Sequence, residues 1–300
     1  MTIGGICPVL AVPFGPEGGV DAAGFRQTVE HVLALPVTAV TLFGLASEFY
    51  KLTDVERDRL RDVLLDVTND RPDVTAIVSI TDHATEVAVT RAREAVAAGA
   101  DALNVLPPHF LSPAEEAVTR HLEAVLAAVE VPVVVQYAPT QTGTSLDADS
   151  LRELARRRPN LTHVKVETQP PGRYVELLQT GDPPLPGLVG YAGVQMPDAL
   201  RRGAVGVQPG CSFTELYVEL WRRHVTGETE GFEDLYRSML PYLTYWMQHV
   251  ELVIQAEKTI LHRRGIIEHD GCRGPGWQLD DEESAMIDRF LDRFAQMLVS

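Results

Sequence analysis

Lysine is nearly missing from this chain. Lys51, Lys165 and Lys258 are the only three among 26 basic residues, and the rest are arginine. Basic side chains as a whole are outnumbered by 42 acidic ones, which leaves a formal net charge of −16. Phosphate backbones and anionic headgroups repel a surface of that sign, which argues against nucleic acid or a membrane as partner. A local pocket can still oppose the global field, so small anionic substrates stay admissible. Cysteine is scarce as well. Cys7, Cys211 and Cys272 are odd in number and lack C-x-x-C spacing, so they supply neither a disulfide framework nor a zinc site. No apolar run approaches the ~20 residues of a membrane helix. The opening MTIGGICPVLAVPF has no basic n-region and no long apolar h-region, unlike a signal peptide. A reducing, cytoplasmic location is therefore expected. No metal-ligand cluster or cofactor motif is visible, and none is expected.

What the sequence does contain is a 300-residue chain with 45% hydrophobic content, enough for a large core. Short runs rich in valine and isoleucine alternate with longer amphipathic stretches. Candidate strands cover 6–13, 39–43, 74–79, 102–106, 131–136, 162–166, 187–190 and 204–207. Several are apolar without alternation, the pattern of parallel strands covered on both faces. Helical patterns run between them, including 54–68, 84–98, 113–129 and 147–157. Thr53-Asp54-Val55-Glu56 fits a capping box, Ser112-Pro113 marks another helix start, and Gly99 stops the helix before it. Eight strand–helix units in roughly 225 residues predict a closed (β/α)8 barrel, a TIM barrel, rather than an open doubly wound sheet. Three further helical stretches, about 231–249, 252–264 and 281–298, come after the eighth unit. The expected organisation is a barrel over 1–226 and a C-terminal helical extension over 227–300 packed on it. The glycine–proline run at 271–276 separates the last two helices.

Active sites of such barrels lie at the carboxyl ends of the strands. The candidates there are Ser47 and Glu48, Thr81, Asp82 and His83, then His109, Tyr137, Lys165, Gly190 and Gln208. Lys165 stands out because it lies in a barrel strand, Leu-Thr-His-Val-Lys-Val-Glu. Lys51, before a helix, and Lys258, in a charged helix, read as surface residues. Partial desolvation of Lys165 would favour its neutral amine, which can attack a ketone. The competing reading is a lysine paired with Glu167 or another barrel carboxylate. Tyr137 ends the preceding strand, and adjacent parallel strands are expected to set it beside Lys165. There a phenol can relay protons during imine formation; a lone tyrosine is more commonly a core plug, but its place beside a buried lysine favours the relay.

At this pair the sequence resembles the dihydrodipicolinate synthase and N-acetylneuraminate lyase family of class I aldolases. The likeness spans nearly the whole chain. Pro8 to Phe14 with Gly19-Val20-Asp21 matches the family's "TPF…G.vD". Gly44-Leu45-Ala46-Ser47-Glu48 is placed like "GTTGE", and Leu52 to Arg57 like "LsxxER". Ala95 to Asp101 matches the segment ending in "GAD", and Pro107-Pro108-His109-Phe110 resembles "PPYY". Tyr137-Ala138-Pro139-Thr140-Gln141-Thr142-Gly143 resembles "YNxPxxTG", with a one-residue gap. Gly203-Ala204-Val205-Gly206 fits "GAxG".

The resemblance implies a homodimer or homotetramer acting without a cofactor on pyruvate or a related 2-oxo acid, with an aldehyde as a possible second partner. It implies Lys165 as the Schiff-base nucleophile and Tyr137 as the proton shuttle. The Ala46-Ser47 turn would bind the substrate carboxylate through N–H groups and the Ser47 hydroxyl, with Glu48 holding the turn. The departures are specific. Leu45 and Ala46 replace two threonines, Phe110 replaces a tyrosine, and Gln141 stands where synthases carry a carboxylate-gripping arginine. These changes break the synthase hydroxyl relay and remove a bidentate contact. His109 is the first candidate replacement and His83 the second. Gln208 would bind a substrate oxygen or cap the barrel mouth. Glu167 shares the side of Lys165 by strand alternation, where it either tunes the lysine or takes a proton. The expected activity is aldol cleavage or condensation of a 2-oxo acid. Dehydration of a 2-keto-3-deoxy sugar acid, true 4-hydroxy-tetrahydrodipicolinate synthesis and a non-catalytic barrel stand as alternatives.

Overall fold

The computed structural model describes residues 3–298. In chain order the elements are β1 (Gly5–Ile6), α1 (Ala22–Leu33), β2 (Ala39–Leu42), α2 (Asp54–Thr68), β3 (Thr75–Ile80), α3 (Thr85–Ala97), β4 (Ala102–Val105), α4 (Glu115–Ala128), β5 (Val133–Tyr137), the short α5 (Pro139–Thr142) and α6 (Ala148–Arg157). They continue with β6 (Leu161–Val166), α7 (Pro171–Gln179), β7 (Gly187–Val189), α8 (Met196–Arg201), β8 (Gly206–Val207), α9 (Thr214–Thr226), α10 (Thr229–Trp246), α11 (Val250–Arg263) and α12 (Asp281–Phe294). Eight parallel strands alternating with helices make this a (β/α)8 barrel, with additional helices after the eighth unit.

The apolar runs became strands because their residues bury on both sides. Every residue of β2, β3, β4 and β5 is buried. The N-terminal run expected over 6–13 is strand only at Gly5–Ile6, and its continuation holds to single bridges from Val9 to Thr41 and Gly210. Pro8 and Pro13 account for this, because neither has an N–H to donate to a ladder. The capping box is formed: Glu56 N–H donates to Thr53 Oγ1 at 3.4 Å and Thr53 N–H donates to Glu56 Oε2 at 2.9 Å.

The chain divides into two compact units. One comprises Thr75–Gln208 with the N-terminal residues through Cys7. Its strands run in the order β1-β8-β7-β6-β5-β4-β3, all in parallel pairs. His163 lies on β6 in this unit, and burial holds its imidazole down at about 4.

The other unit comprises Pro8–Val74 with the residues from Pro209 onward. Here the structure corrects the surface reading of two lysines. Lys258 is fully buried, ion-paired with the equally buried Glu48, and its Nζ lies 4.0 Å above the Phe14 ring. Burial holds its ammonium below the usual lysine range. Lys51, only 8% exposed, bridges Glu48 at 2.9 Å and Glu251 at 2.7 Å. Glu48 itself sits at φ 51, a left-handed conformation that strains a residue with a Cβ. The two cations hold that turn in place.

These contacts set three expectations for stability. Lys258→Met should leave Glu48 Oε1 without its cation, with only Lys51 still paired to the carboxylate, and lower stability by about 2–4 kcal/mol, and adding Glu48→Gln should recover part of the loss. Urea titrations of the single and double variants check this, and a single variant as stable as the parent would refute it. Thr53→Ala should cost about 1 kcal/mol through the lost cap, read from the same titrations. His163 binds a proton in the unfolded chain below its ordinary value but in the fold only near 4. Stability should therefore fall as pH drops through that interval, and His163→Gln should flatten the fall measured by urea midpoint.

Candidate active site

Lys165 is the penultimate residue of β6 and only 4% exposed. Its height in the sheet is set by pairing: Lys165 lies opposite Gln136 of β5 on one side and Leu188 of β7 on the other. Tyr137 lies opposite Val166, one position further along. The side-by-side placement of Tyr137 and Lys165 expected from the sequence is thus out by one residue. Because successive side chains of a strand point to opposite faces, Gln136 shares the face of Lys165, and both reach Glu167. The Tyr137 ring meets Tyr174 of α7, with centroids 4.7 Å apart, and the Tyr174 hydroxyl donates to Leu146 O at 2.7 Å.

A chain of buried polar side chains runs across four strands from the lysine. Lys165 Nζ is 3.4 Å from Glu167 Oε1. Gln136 Nε2 donates to Glu167 Oε2 at 2.6 Å. Asn104 Nδ2 donates to Gln136 Oε1 and to Ser79 Oγ, each at 3.1 Å. The N–H of Tyr191 donates to Glu167 Oε1 at 3.4 Å. Gly190 makes room for the carboxylate: a Cβ there would stand 2.3 Å from Glu167 Cγ and Oε1. Asn104, Gln136 and Ser79 were missed by sequence reasoning. Their signal was a single polar residue inside each otherwise apolar strand, Ala-Leu-Asn-Val and Val-Val-Val-Gln-Tyr among them. Burial of such a group demands a partner.

The remaining candidates fall into separate groups. His109 and His83 come together, with ring centroids 4.4 Å apart. Phe110 N–H donates to His83 Nδ1 at 3.3 Å. Burial, and then the neighbouring His109, hold His83 below the ordinary imidazole range. Gln141 Nε2 donates to the Tyr191 hydroxyl. Tyr191 and Ala192 both have positive φ, 53° and 46°, so this segment after β7 is strained. Gln208 is buried after β8, and its N–H donates to Val189 O at 2.8 Å. Ala46 and Ser47 belong to the other compact unit. There the Ser47 hydroxyl is fully buried; it donates to Leu10 O at 2.6 Å and accepts from Phe43 N–H at 3.1 Å.

Among the described residues no helix is long and apolar enough to cross a membrane. Residues 2–293 match the model of the dihydrodipicolinate synthetase family. An L-2-keto-3-deoxyarabonate dehydratase from Azospirillum brasilense is 27% identical over 294 residues, covering 94% of this chain and 92% of the relative. Against several other curated relatives the chain spans about half of their length. The crystal structure of a Pseudomonas aeruginosa protein described as a dihydrodipicolinate synthetase superposes with a TM-score of 0.90 at 26% identity, over 97% of this chain and 99% of that one. A prophage protein of E. coli K12 of the same family, solved in complex with pyruvate, gives 0.89 at 20% identity over the full length of both. A (β/α)8 barrel matched by the family model over nearly its whole length places this chain in the dihydrodipicolinate synthetase family.

Proposed function

We propose that the chain is a Schiff-base-forming lyase in which Lys165 attacks the C2 carbonyl of pyruvate or a related 2-oxo acid. The observation that carries this reading is the Lys165 amine, buried near the carboxyl end of a barrel strand and touched by one carboxylate at 3.4 Å. The other two lysines are each committed to Glu48. An amine attacks only when it has shed its proton, and a protonated imine then draws electrons from the C3–C4 bond or allows a group at C4 to leave. Pyruvate in the E. coli prophage protein supports a three-carbon 2-oxo acid as the common element.

The groups around C4 to C6 decide between C–C and C–O chemistry. Leu45 and Phe110 bring no hydroxyl, and Gln141 brings no guanidinium to an anionic aldehyde. This disfavours 4-hydroxy-tetrahydrodipicolinate synthesis. The dehydratase of A. brasilense, similar over almost the full length, favours a 2-keto-3-deoxy sugar acid as the second reading beside an aldolase. Under either reading His109, Gln141 and Gln208 bind the distal part of the substrate. Tyr137, at the end of the neighbouring strand β5, is the proton shuttle of imine formation. The enzyme works in the cytoplasm as a homodimer or homotetramer.

Borohydride reduction in the presence of pyruvate should leave an adduct on Lys165, located by peptide mass mapping, and none in Lys165→Ala. An equal yield of adduct in that variant would remove Lys165 from the reaction. A panel of 2-oxo acids and 2-keto-3-deoxy sugar acids, monitored for aldehyde release and for loss of water, should show turnover in one column and at most trace turnover in the other.

A further inference from the structure

We propose that Tyr174 is a positioning residue for Tyr137, holding the ring of the phenol at the carboxyl end of β5. The inference rests on the reading of Lys165 as the imine-forming residue and of Tyr137 as its proton shuttle. A tyrosine side chain turns about two torsions, so a phenol on the last residue of a strand needs a neighbour to fix its ring. Leu45 and Phe110 carry no hydroxyl that could orient it. The ring contact that the structure gives Tyr137 is with Tyr174.

Tyr174 is itself held at both ends. It is the fourth residue of α7, the helix that follows β6, so it lies near the end of the barrel at which β5 and β6 finish. Its hydroxyl donates to Leu146 O at 2.7 Å, in the segment between α5 and α6 that follows β5. Leu146 is buried, which keeps the acceptor in place. One side chain thus ties the chain after β5 to the chain after β6, and these paired strands carry Tyr137 and Lys165. The Tyr137 ring packs on this tie, with centroids 4.7 Å apart and planes inclined by 42°. Rings at that separation attract beyond the area they bury.

Tyr174 does not carry the proton itself. Its hydroxyl hydrogen is committed to Leu146 O, and burial, then the neighbouring Tyr137, keeps this phenol protonated well above the ordinary tyrosine range. Its influence on the reaction passes through the angle of the Tyr137 ring. Proton transfer needs its two heavy atoms within about 2.6–3.2 Å of each other, and a misplacement of about 1 Å can cost about 100-fold in rate. With the Tyr174 ring removed, the Tyr137 ring has other rotamers open to it.

The test is the rate at which pyruvate becomes trapped on the full-length protein, by rapid mixing and borohydride quench, in Tyr174→Leu and Tyr174→Phe. Tyr174→Leu, which removes the ring, should slow trapping about 10–100-fold. The final yield of adduct and the pyruvate concentration giving half the maximal rate should stay at their parental values. Tyr174→Phe, which keeps the ring, should recover most of the loss. In a Tyr137→Phe background, Tyr174→Leu should change the rate by less than about twofold, since no phenol is left there to position. Trapping at the parental rate in Tyr174→Leu would overturn the inference while leaving Lys165 and Tyr137 in place. A Tyr174→Phe rate as low as that of Tyr174→Leu would overturn it too. So would equal slowing by Tyr174→Leu with and without the Tyr137 hydroxyl, because a side chain that only supports the fold behaves that way. Should Tyr174→Leu fail to fold by far-UV circular dichroism, Tyr174→Met takes its place in the same cycle. A parental rate in Tyr137→Phe would instead fell the reading of Tyr137, and absence of any adduct in the parent protein that of Lys165; the inference goes with either.

Discussion

The register between β5 and β6 governs everything at the candidate site. Side chains of a strand alternate with a period of two, so the pairing Gln136–Lys165 determines which residues share the lysine's face. Ser79, Asn104, Gln136, Lys165 and Glu167 then form one continuous polar row through an otherwise apolar sheet. A slip of one residue would bring Tyr137 into that row and turn Gln136 into the helical layer. The row is costly to bury, because each buried polar group left without a partner costs about 1–3 kcal/mol. Hydrogen bonding from strand to strand offsets that cost, and in doing so fixes the carboxylate beside the amine.

The three lysines show how environment divides one residue type between structure and chemistry. Lys258 and Lys51 grip the two oxygens of Glu48, and the Phe14 ring lies under Lys258. That arrangement compensates the strained φ of Glu48 and keeps both cations occupied. Lys165 has a single acidic partner at a longer distance, and that partner is more tightly bonded to an amide. A cation held in two short ion pairs is a poor nucleophile. One that can pass its proton to a fixed neighbour is a better one.

Under the proposed reading the first step is common to the family, and the distal residues narrow the choice of the second. Gln141, bonded to Tyr191, presents an amide–phenol pair rather than a guanidinium. The His83 and His109 rings lie tilted with centroids 4.4 Å apart, and burial, then the neighbouring His109, disfavours the charged form of His83.

The sequence alone determined the fold class, the capping box of α2 and the burial of Lys165 in a barrel strand. These rest on local or compositional signals: strands apolar on both sides, a Thr–Glu spacing, and a lysine inside a strand of an arginine-rich protein. It also supplied Glu167 as a neighbour, since alternation along one strand is a local rule. It misplaced Tyr137, passed over Gln136, Asn104 and Ser79, and read Lys51 and Lys258 as surface residues. Those outcomes depend on contacts between segments distant in the chain. Strand register is set by pairing and packing across the sheet, so a one-residue offset leaves no trace in either strand's own sequence. Likewise a lysine in a charged helix is buried or solvated according to what packs against it. Only the tertiary structure, by bringing Glu48 and Phe14 to Lys258 and Gln136 to Glu167, decided which partner holds each charge.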